Sequence, residues 1–165
     1  MKNKKPKLIS EFYELNVEQL MDKKIWDIPI IEKDSPMENV LSILDGRGHV
    51  WVVDDLNNKE LLGVITQHDV LQVLAPSRTY YNVFTLTKTY PHNTKGKAED
   101  VMTLSPIICH ASDRIIDVLQ KMIRHRVRRL PVVTKDNILL GEITLRHLIH
   151  KYYLASQYHE IIDNK

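Results

Sequence analysis

Apolar positions in this chain come in two kinds, short runs of strand length and longer stripes of helical period, and the two alternate in a fixed order. Ser10 to Asp22 reads as one or two helical turns, with Leu15 and Gln19 at its flanks and Leu20-Met21 closing it. Ile28-Pro29-Ile30-Ile31 is a short strand, and Pro29 marks an edge or an irregular start. Asp34-Ser35-Pro36 offers an N-cap and a first-turn proline. Met37, Val40, Leu41 and Leu44 then recur at helical spacing until Asp45-Gly46-Arg47-Gly48 stops the helix. His49 to Val53 is a buried-strand pattern, Asn57-Asn58 a turn, and Leu61 to Ile65 the return strand of a hairpin. A helix from His68 to Leu74 ends ahead of Pro76.

The order then repeats. Ala98 to Met102 is a helical turn, Ile107-Ile108-Cys109 a strand, and Ser112 a cap. Ile115, Ile116, Leu119, Met122 and Ile123 make the next helix stripe. Leu130 to Val133 and Ile138 to Ile143 form a second hairpin about Lys135-Asp136-Asn137, and a helix runs from Leu145 to about Gln157. Each half is β-α-β-β-α. The octapeptide Leu62-Gly63-Val64-Ile65-Thr66-Gln67-His68-Asp69 returns as Leu140-Gly141-Glu142-Ile143-Thr144-Leu145-Arg146-His147, 78 positions later. Val40 and Val118 keep that offset, which slips to 80 between Val52 and Val132. Compensating loop changes around a constant core spacing are what an internal duplication leaves behind. The resulting division is a basic tail and lead-in at 1–16, a first repeat at 17–74, a connecting segment at 75–97, a second repeat at 98–157 and a tail at 158–165. Tyr80, Tyr81, Val83, Phe84 and Leu86 make the connecting segment too apolar for a free linker, so it is expected to pack on the module or on a second subunit.

Composition narrows the function classes. The 43% hydrophobic and 27% charged residues argue against disorder. No run approaches a membrane span, and no apolar segment of signal-peptide type follows the basic start. Cys109 is the only cysteine, so no intramolecular disulfide forms, which fits a reducing cytoplasm. A net charge of +2 is too small to imply nucleic acid by itself. No Gly-rich phosphate loop, nucleophile elbow or paired catalytic carboxylates occur, and alternating strand faces separate Cys109 from His110, so no enzyme activity and no catalytic residues are expected. His147 and His150 lack a third ligand, so no metal site is expected.

Met21 and Met102 before the first strands, Arg128-Arg129-Leu130-Pro131-Val132-Val133 on a second strand, and the Gly-x-x-Thr-x-x-Asp corner together resemble a tandem pair of cystathionine-β-synthase (CBS) domains. The resemblance covers Val17–Leu74 and Ala98–Tyr153 and is that of a stand-alone pair. It implies an α/β (α+β) fold of two βαββα repeats packed about a pseudo-twofold axis, a homodimer, and a cleft that binds AMP, ADP, ATP or S-adenosylmethionine as a regulatory ligand, with no required cofactor. It also implies that the Asp of Thr-x-x-Asp holds the ribose hydroxyls while basic residues of both repeats hold the phosphates.

Two readings of each motif follow from chemistry. Thr66-x-x-Asp69 is a capping box, the Thr hydroxyl bonding a first-turn N–H and the carboxylate reaching back. The same carboxylate can accept two vicinal hydroxyls, and the two roles are compatible. His147 stands where Asp69 does and cannot bind a diol that way, so the site built on Thr144 and His147 is expected to be empty, weaker or differently loaded. Arg124-His125-Arg126-Val127-Arg128-Arg129 packs five basic residues into six positions. A helix C-terminus accounts for Arg124 and His125, whereas Arg128 and Arg129 lead into an apolar strand and, with Arg146, are phosphate candidates. In the first repeat, Arg47, His49 and His68 occupy the comparable loops. Ser105-Pro106-Ile107 is the candidate adenine segment, while Trp26 and Trp51 read as packing residues. The expected function is a non-enzymatic adenine-nucleotide sensor acting on an unidentified protein target. The alternatives are a nucleic-acid-binding module using Arg124–Arg129, an S-adenosylmethionine-binding pair, and a structural subunit with vestigial clefts.

Overall fold

A computed structural model of the chain describes residues 7–24, 27–74 and 96–163. The expectations for Trp26 and for residues 75–95 of the connecting segment fall outside them. The chain divides into two compact units, Trp26–Pro106 and Met1–Ile25 together with Ile107–Lys165.

In the first of these, β1 (Ile30–Glu32), α2 (Met37–Gly46), β2 (His49–Val53), β3 (Leu61–Thr66) and α3 (Gln67–Leu74) follow the expected order, with α4 (Ala98–Val101) and β4 (Thr103–Leu104) added. The sheet order is β1-β2-β3-β4. β1 runs parallel to β2, and the other pairs are antiparallel. Alternation along β3 buries Leu61, Gly63 and Ile65 on one face. Met37, Val40 and Leu44 bring one stripe of α2 onto Val50, Val52 and Ile65. Burial of each such side chain contributes about 1.5–3 kcal/mol. Trp51 is buried, its indole edge-on to the His49 ring at 5.0 Å between centroids, which places it in packing as expected.

The second unit holds α1 (Lys7–Glu14), a 3-10 turn (Val17–Gln19), α5 (Ile115–His125), β5 (Arg129–Val133), β6 (Leu139–Thr144) and α6 (Leu145–Asp163). Its core joins Phe12 and Val17 of the N-terminal segment to Cys109, Ile115, Val118, Met122, Leu130, Val132, Ile143 and Leu148. The β5–β6 hairpin carries a register shift at Val132/Val133, at the same place as the β2–β3 shift at Val52/Val53.

Four expectations are corrected. Residues 107–109 do not form a strand. Only Cys109 makes a parallel bridge, to Val132, with its N–H donating to the Pro131 carbonyl and its carbonyl accepting the Val133 N–H, while the Ile108 carbonyl accepts the Lys121 ammonium at 3.2 Å. Ile123 lies outside the α5 stripe at 77% exposure, and Val118 takes the buried place between Ile115 and Met122. Neither Asp34, Ser35 nor Ser112 caps a helix. α2 starts after Pro36 with the Met37 N–H donating to the Gly96 carbonyl, and α5 starts after Arg114 with the Ile115 N–H donating to the Leu15 carbonyl, both at 2.9 Å. The start of each long helix is therefore closed by backbone from the segment that leads into the other repeat.

That exchange is systematic. The Ala98 N–H donates to the Ser35 carbonyl and the Glu99 N–H to the Lys33 carbonyl. Likewise the Val17 N–H donates to the Asp113 carbonyl and the Glu18 N–H to the Ala111 carbonyl. β4 pairs with β3, and Asp22 bridges Glu142 of β6. Each lead-in thus completes the sheet of the repeat to which it does not belong in sequence.

Candidate functional site

Each hairpin ends in a threonine from which the following helix begins. The ladder sets His49 opposite Thr66 and Arg129 opposite Thr144, so the two corners can be compared position by position.

At the first corner Asp69 is half-buried and accepts three donors. The Thr66 N–H and hydroxyl both reach its Oδ2, at 2.7 and 2.6 Å, and the Thr103 hydroxyl reaches Oδ1 at 3.3 Å. The backbone half of the expected capping box is present. The hydroxyl, however, donates to the carboxylate instead of accepting a first-turn N–H. A carboxylate offers about four acceptor positions, so a diol could bind two oxygens here only by displacing the long Thr103 contact. Thr103 is a residue that the motif reading missed. It belongs to the exchanged lead-in, and its only signal in the sequence was a place directly after Met102.

The other first-repeat candidates divide. His49 is buried beside Thr66, and His68 is exposed on the first turn of α3. Arg47 is ion-paired to Asp27 at 2.7 Å, with both side chains half-exposed. Ser105 is exposed in the left-handed region at φ 51°, its N–H donating to the Leu62 carbonyl. Pro106 ends one unit and Ile107 begins the other, where it packs against the core around Cys109. The candidate adenine segment is therefore divided between the units.

At the second corner the Thr144 N–H donates to His147 Nδ1 at 3.4 Å, and the His147 N–H donates to the Thr144 hydroxyl at 3.3 Å. The imidazole thus supplies a longer version of the bond that Asp69 makes. Beside it Arg128, Arg129, Thr144, Leu145, Arg146 and Ile149 line an open cavity of about 370 Å³. Four of the six residues were candidates from sequence. Arg128 and Arg146 are exposed and Arg129 is half-buried. Arg124, His125 and Arg126 are exposed at the end of α5, with Arg126 closing the helix in the left-handed conformation, φ 55°.

Two further groups are structural. The Asp113 carboxylate accepts the Lys121 ammonium at 2.8 Å and the His110 N–H at 3.3 Å. Burial raises its pKa, but these bonds and the neighbouring positive charge outweigh burial and hold it below the ordinary value. Cys109 is buried at 0% exposure, and burial pushes its thiol up to about 12. Among the described residues no group of three metal-ligating side chains occurs, and no helix is long and apolar enough to cross a membrane.

A sequence model of the CBS domain matches residues 17–76 and 98–153. A homoserine O-acetyltransferase of Methanosphaera stadtmanae is 28% identical over 63% of this chain, which spans only 17% of that protein. An uncharacterized protein of Methanocaldococcus jannaschii is 28% identical over 88% of this chain and 85% of its own length. Among solved structures, CBSX2 in complex with AMP superposes with a TM-score of 0.68 at 23% identity, covering 86% of this chain and 98% of that one. The CBS domain of a bacterial CNNM/CorC-family Mg2+ transporter in complex with ATP gives 0.66 at 18%, covering 88% and 92%. The CBS domain pair of protein MJ0100 with 5′-methylthioadenosine and S-adenosyl-L-methionine gives 0.59 at 22%, covering 82% and 94%. At these identities the structural likenesses speak for the fold.

Proposed function

The chain belongs to the CBS domain family, and from that premise we propose that it is a regulatory module binding an adenine nucleotide. The observation that carries this reading is the convergence of Arg128, Arg129 and Arg146 with Thr144 on one cavity. Guanidinium forks match phosphate oxygens bidentately, and they remain charged at every physiological pH. The guanidinium groups are assigned to the phosphate, and Asp69, held by Thr66, is a carboxylate able to accept ribose hydroxyls. AMP, ADP and ATP fit this chemistry. The module works in the cytoplasm as a homodimer, without catalysis of its own. The nucleotide acts by favouring one conformation of the chain, and it can shift that equilibrium only by its difference in affinity between conformations. A protein target reads the outcome.

Isothermal titration calorimetry with AMP, ADP and ATP on wild type and Asp69→Ala tests the reading. One nucleotide per chain is expected, with affinity lost roughly tenfold or more in the variant. Unchanged affinity in Asp69→Ala, or no nucleotide bound at all, overturns it. Two equal sites per chain overturn the distinction drawn between Asp69 and His147.

A second reading draws on the exposure of Arg124, His125, Arg126 and Arg128 together at one helix end. A nucleic-acid site there predicts oligonucleotide binding that collapses as salt rises. Binding of an RNA oligomer with that salt dependence, in the absence of nucleotide binding, would favour it.

A further inference from the structure

Helix α6 runs on past the last residue that its own unit needs. Leu148 is the last of its side chains in the core, and Tyr152 stacks edge-on to Phe12 at 5.5 Å between centroids, yet the helix continues to Asp163. Ile149 and Tyr153, four positions apart on a face turned away from Leu148, are 60% and 56% exposed. An apolar helical stripe left open to water marks a surface that another segment covers. The charges along α6 also run against its own dipole. Arg146 stands in the first turn and Lys151 in the second, whereas the last turn holds Glu160 and Asp163 and no basic residue. A helix favours anions at its start and cations at its end, so both ends of α6 carry the disfavoured sign. A second α6 laid antiparallel supplies what each end lacks. Arg146, Ile149, Tyr153, Gln157 and position 160, a glutamate, recur at three- and four-residue spacing, which puts them in one stripe. Tyr153 is its midpoint, with Arg146 and position 160 seven places to either side and Ile149 and Gln157 four.

We infer that α6 is a dimerisation element that pairs antiparallel with α6 of a second copy about Tyr153. The inference rests on the homodimer reading above and places its contact. The contact is isologous, so Tyr153 meets itself at the twofold axis, Ile149 of each copy meets Gln157 of the other, and Arg146 meets Glu160. Burial of Ile149 and Tyr153 supplies affinity, and the order of charges sets direction. A parallel pair would instead lay Arg146 against Arg146 and Glu160 against Glu160. Arg146 also lines the cavity, and a guanidinium has donors enough to face both.

The test is disulfide cross-linking and sedimentation equilibrium on the full chain. Cys109 is buried, so a thiol introduced at an exposed position reports on that position alone. Under mild oxidation Tyr153→Cys should link two chains roughly tenfold or more faster than Leu71→Cys, because a contact at the axis raises effective concentration. Leu71 is an equally exposed control on α3, at 56%. Glu160→Arg should weaken the dimer roughly tenfold or more, and the exchange Arg146→Glu/Glu160→Arg should restore it to within roughly threefold. Equal linking at the two positions, a dimer unweakened by Glu160→Arg, or an exchange that restores nothing overturns the inference, and a dimer that persists then leaves the homodimer reading standing. A monomeric wild type overturns both, and resistance of the introduced thiol at 153 to Ellman's reagent in that monomer would assign the cover to another segment of the same chain.

Discussion

Gly63 and Gly141 are glycines because another segment lies against them. A methyl group at 63 would come 2.8 Å from both the Met102 sulfur and the Thr103 carbonyl oxygen. One at 141 would collide with the Asp22 carbonyl oxygen and lie 2.6 Å from the Met21 methyl. Half of each obstacle is flexible methionine, but the other half is backbone held in a sheet. Gly63→Ala and Gly141→Ala should each therefore destabilise the fold by about 1–3 kcal/mol, as overpacking does, measured by urea unfolding. Gly141→Ala should be the worse of the two, since its collision with backbone is the closer. Wild-type stability in either variant would mean that the lead-ins are not packed as described. Cys109 gives a second check at this scale. A thiol with no exposure and a pKa pushed up to about 12 by burial should not react with Ellman's reagent at pH 8 until the chain unfolds. Stoichiometric labelling of the native protein at the rate of a free thiol would contradict its placement.

At the scale of elements, what could be read from sequence was what local pattern decides. Both hairpins, the helices after them and the α2 stripe follow from period-2 and period-3.6 alternation. The helix starts did not follow, because Asp34-Ser35-Pro36 and Ser112 are good local caps that tertiary contact overrules. Gly96 and Leu15 supply the carbonyls, and neither carries any capping signal. The site divides along the same line. Thr66, Asp69, Thr144 and the arginines announce themselves as motifs, whereas Thr103 enters only through the exchange. The loop before α5 shows what replaces the expected strand and cap, for there Asp113 gathers Lys121 and the His110 N–H. Its pKa is lower folded than unfolded, so its contribution is present above the ordinary value of 3.8 and fades as pH falls through the folded one. Asp113→Asn should cost about 1 kcal/mol at pH 7, a figure discounted for the partial exposure of Lys121. The gap between wild type and variant should close below pH 4 in thermal melts taken across the range. A gap that widens on acidification would refute the assignment.

For the molecule as a whole, the exchange of lead-ins means that neither repeat, as written in the sequence, contains its own complete sheet and core. Residues 7–24 supply the unit of Ile107–Lys165 with the buried side chains of Phe12 and Val17, the carbonyl that closes α5, and the rung at Asp22. Removing a buried aromatic alone costs about 3–5 kcal/mol, a large part of a small unit's stability. Deleting residues 1–24 should therefore strip amide-exchange protection from β5 and β6 while leaving β2 and β3 protected, because among the described residues the core of Trp26–Pro106 uses none of those deleted. Phe12→Ala should do the same more mildly. A synthetic peptide of residues 7–24 added to the truncated chain should restore protection in β5 and β6 alone. Equal loss in both hairpins would mean that the chain folds as one cooperative block, and no loss in either would mean that the N-terminal segment is dispensable. Only the selective pattern fits two units that each include the segment leading into the other repeat.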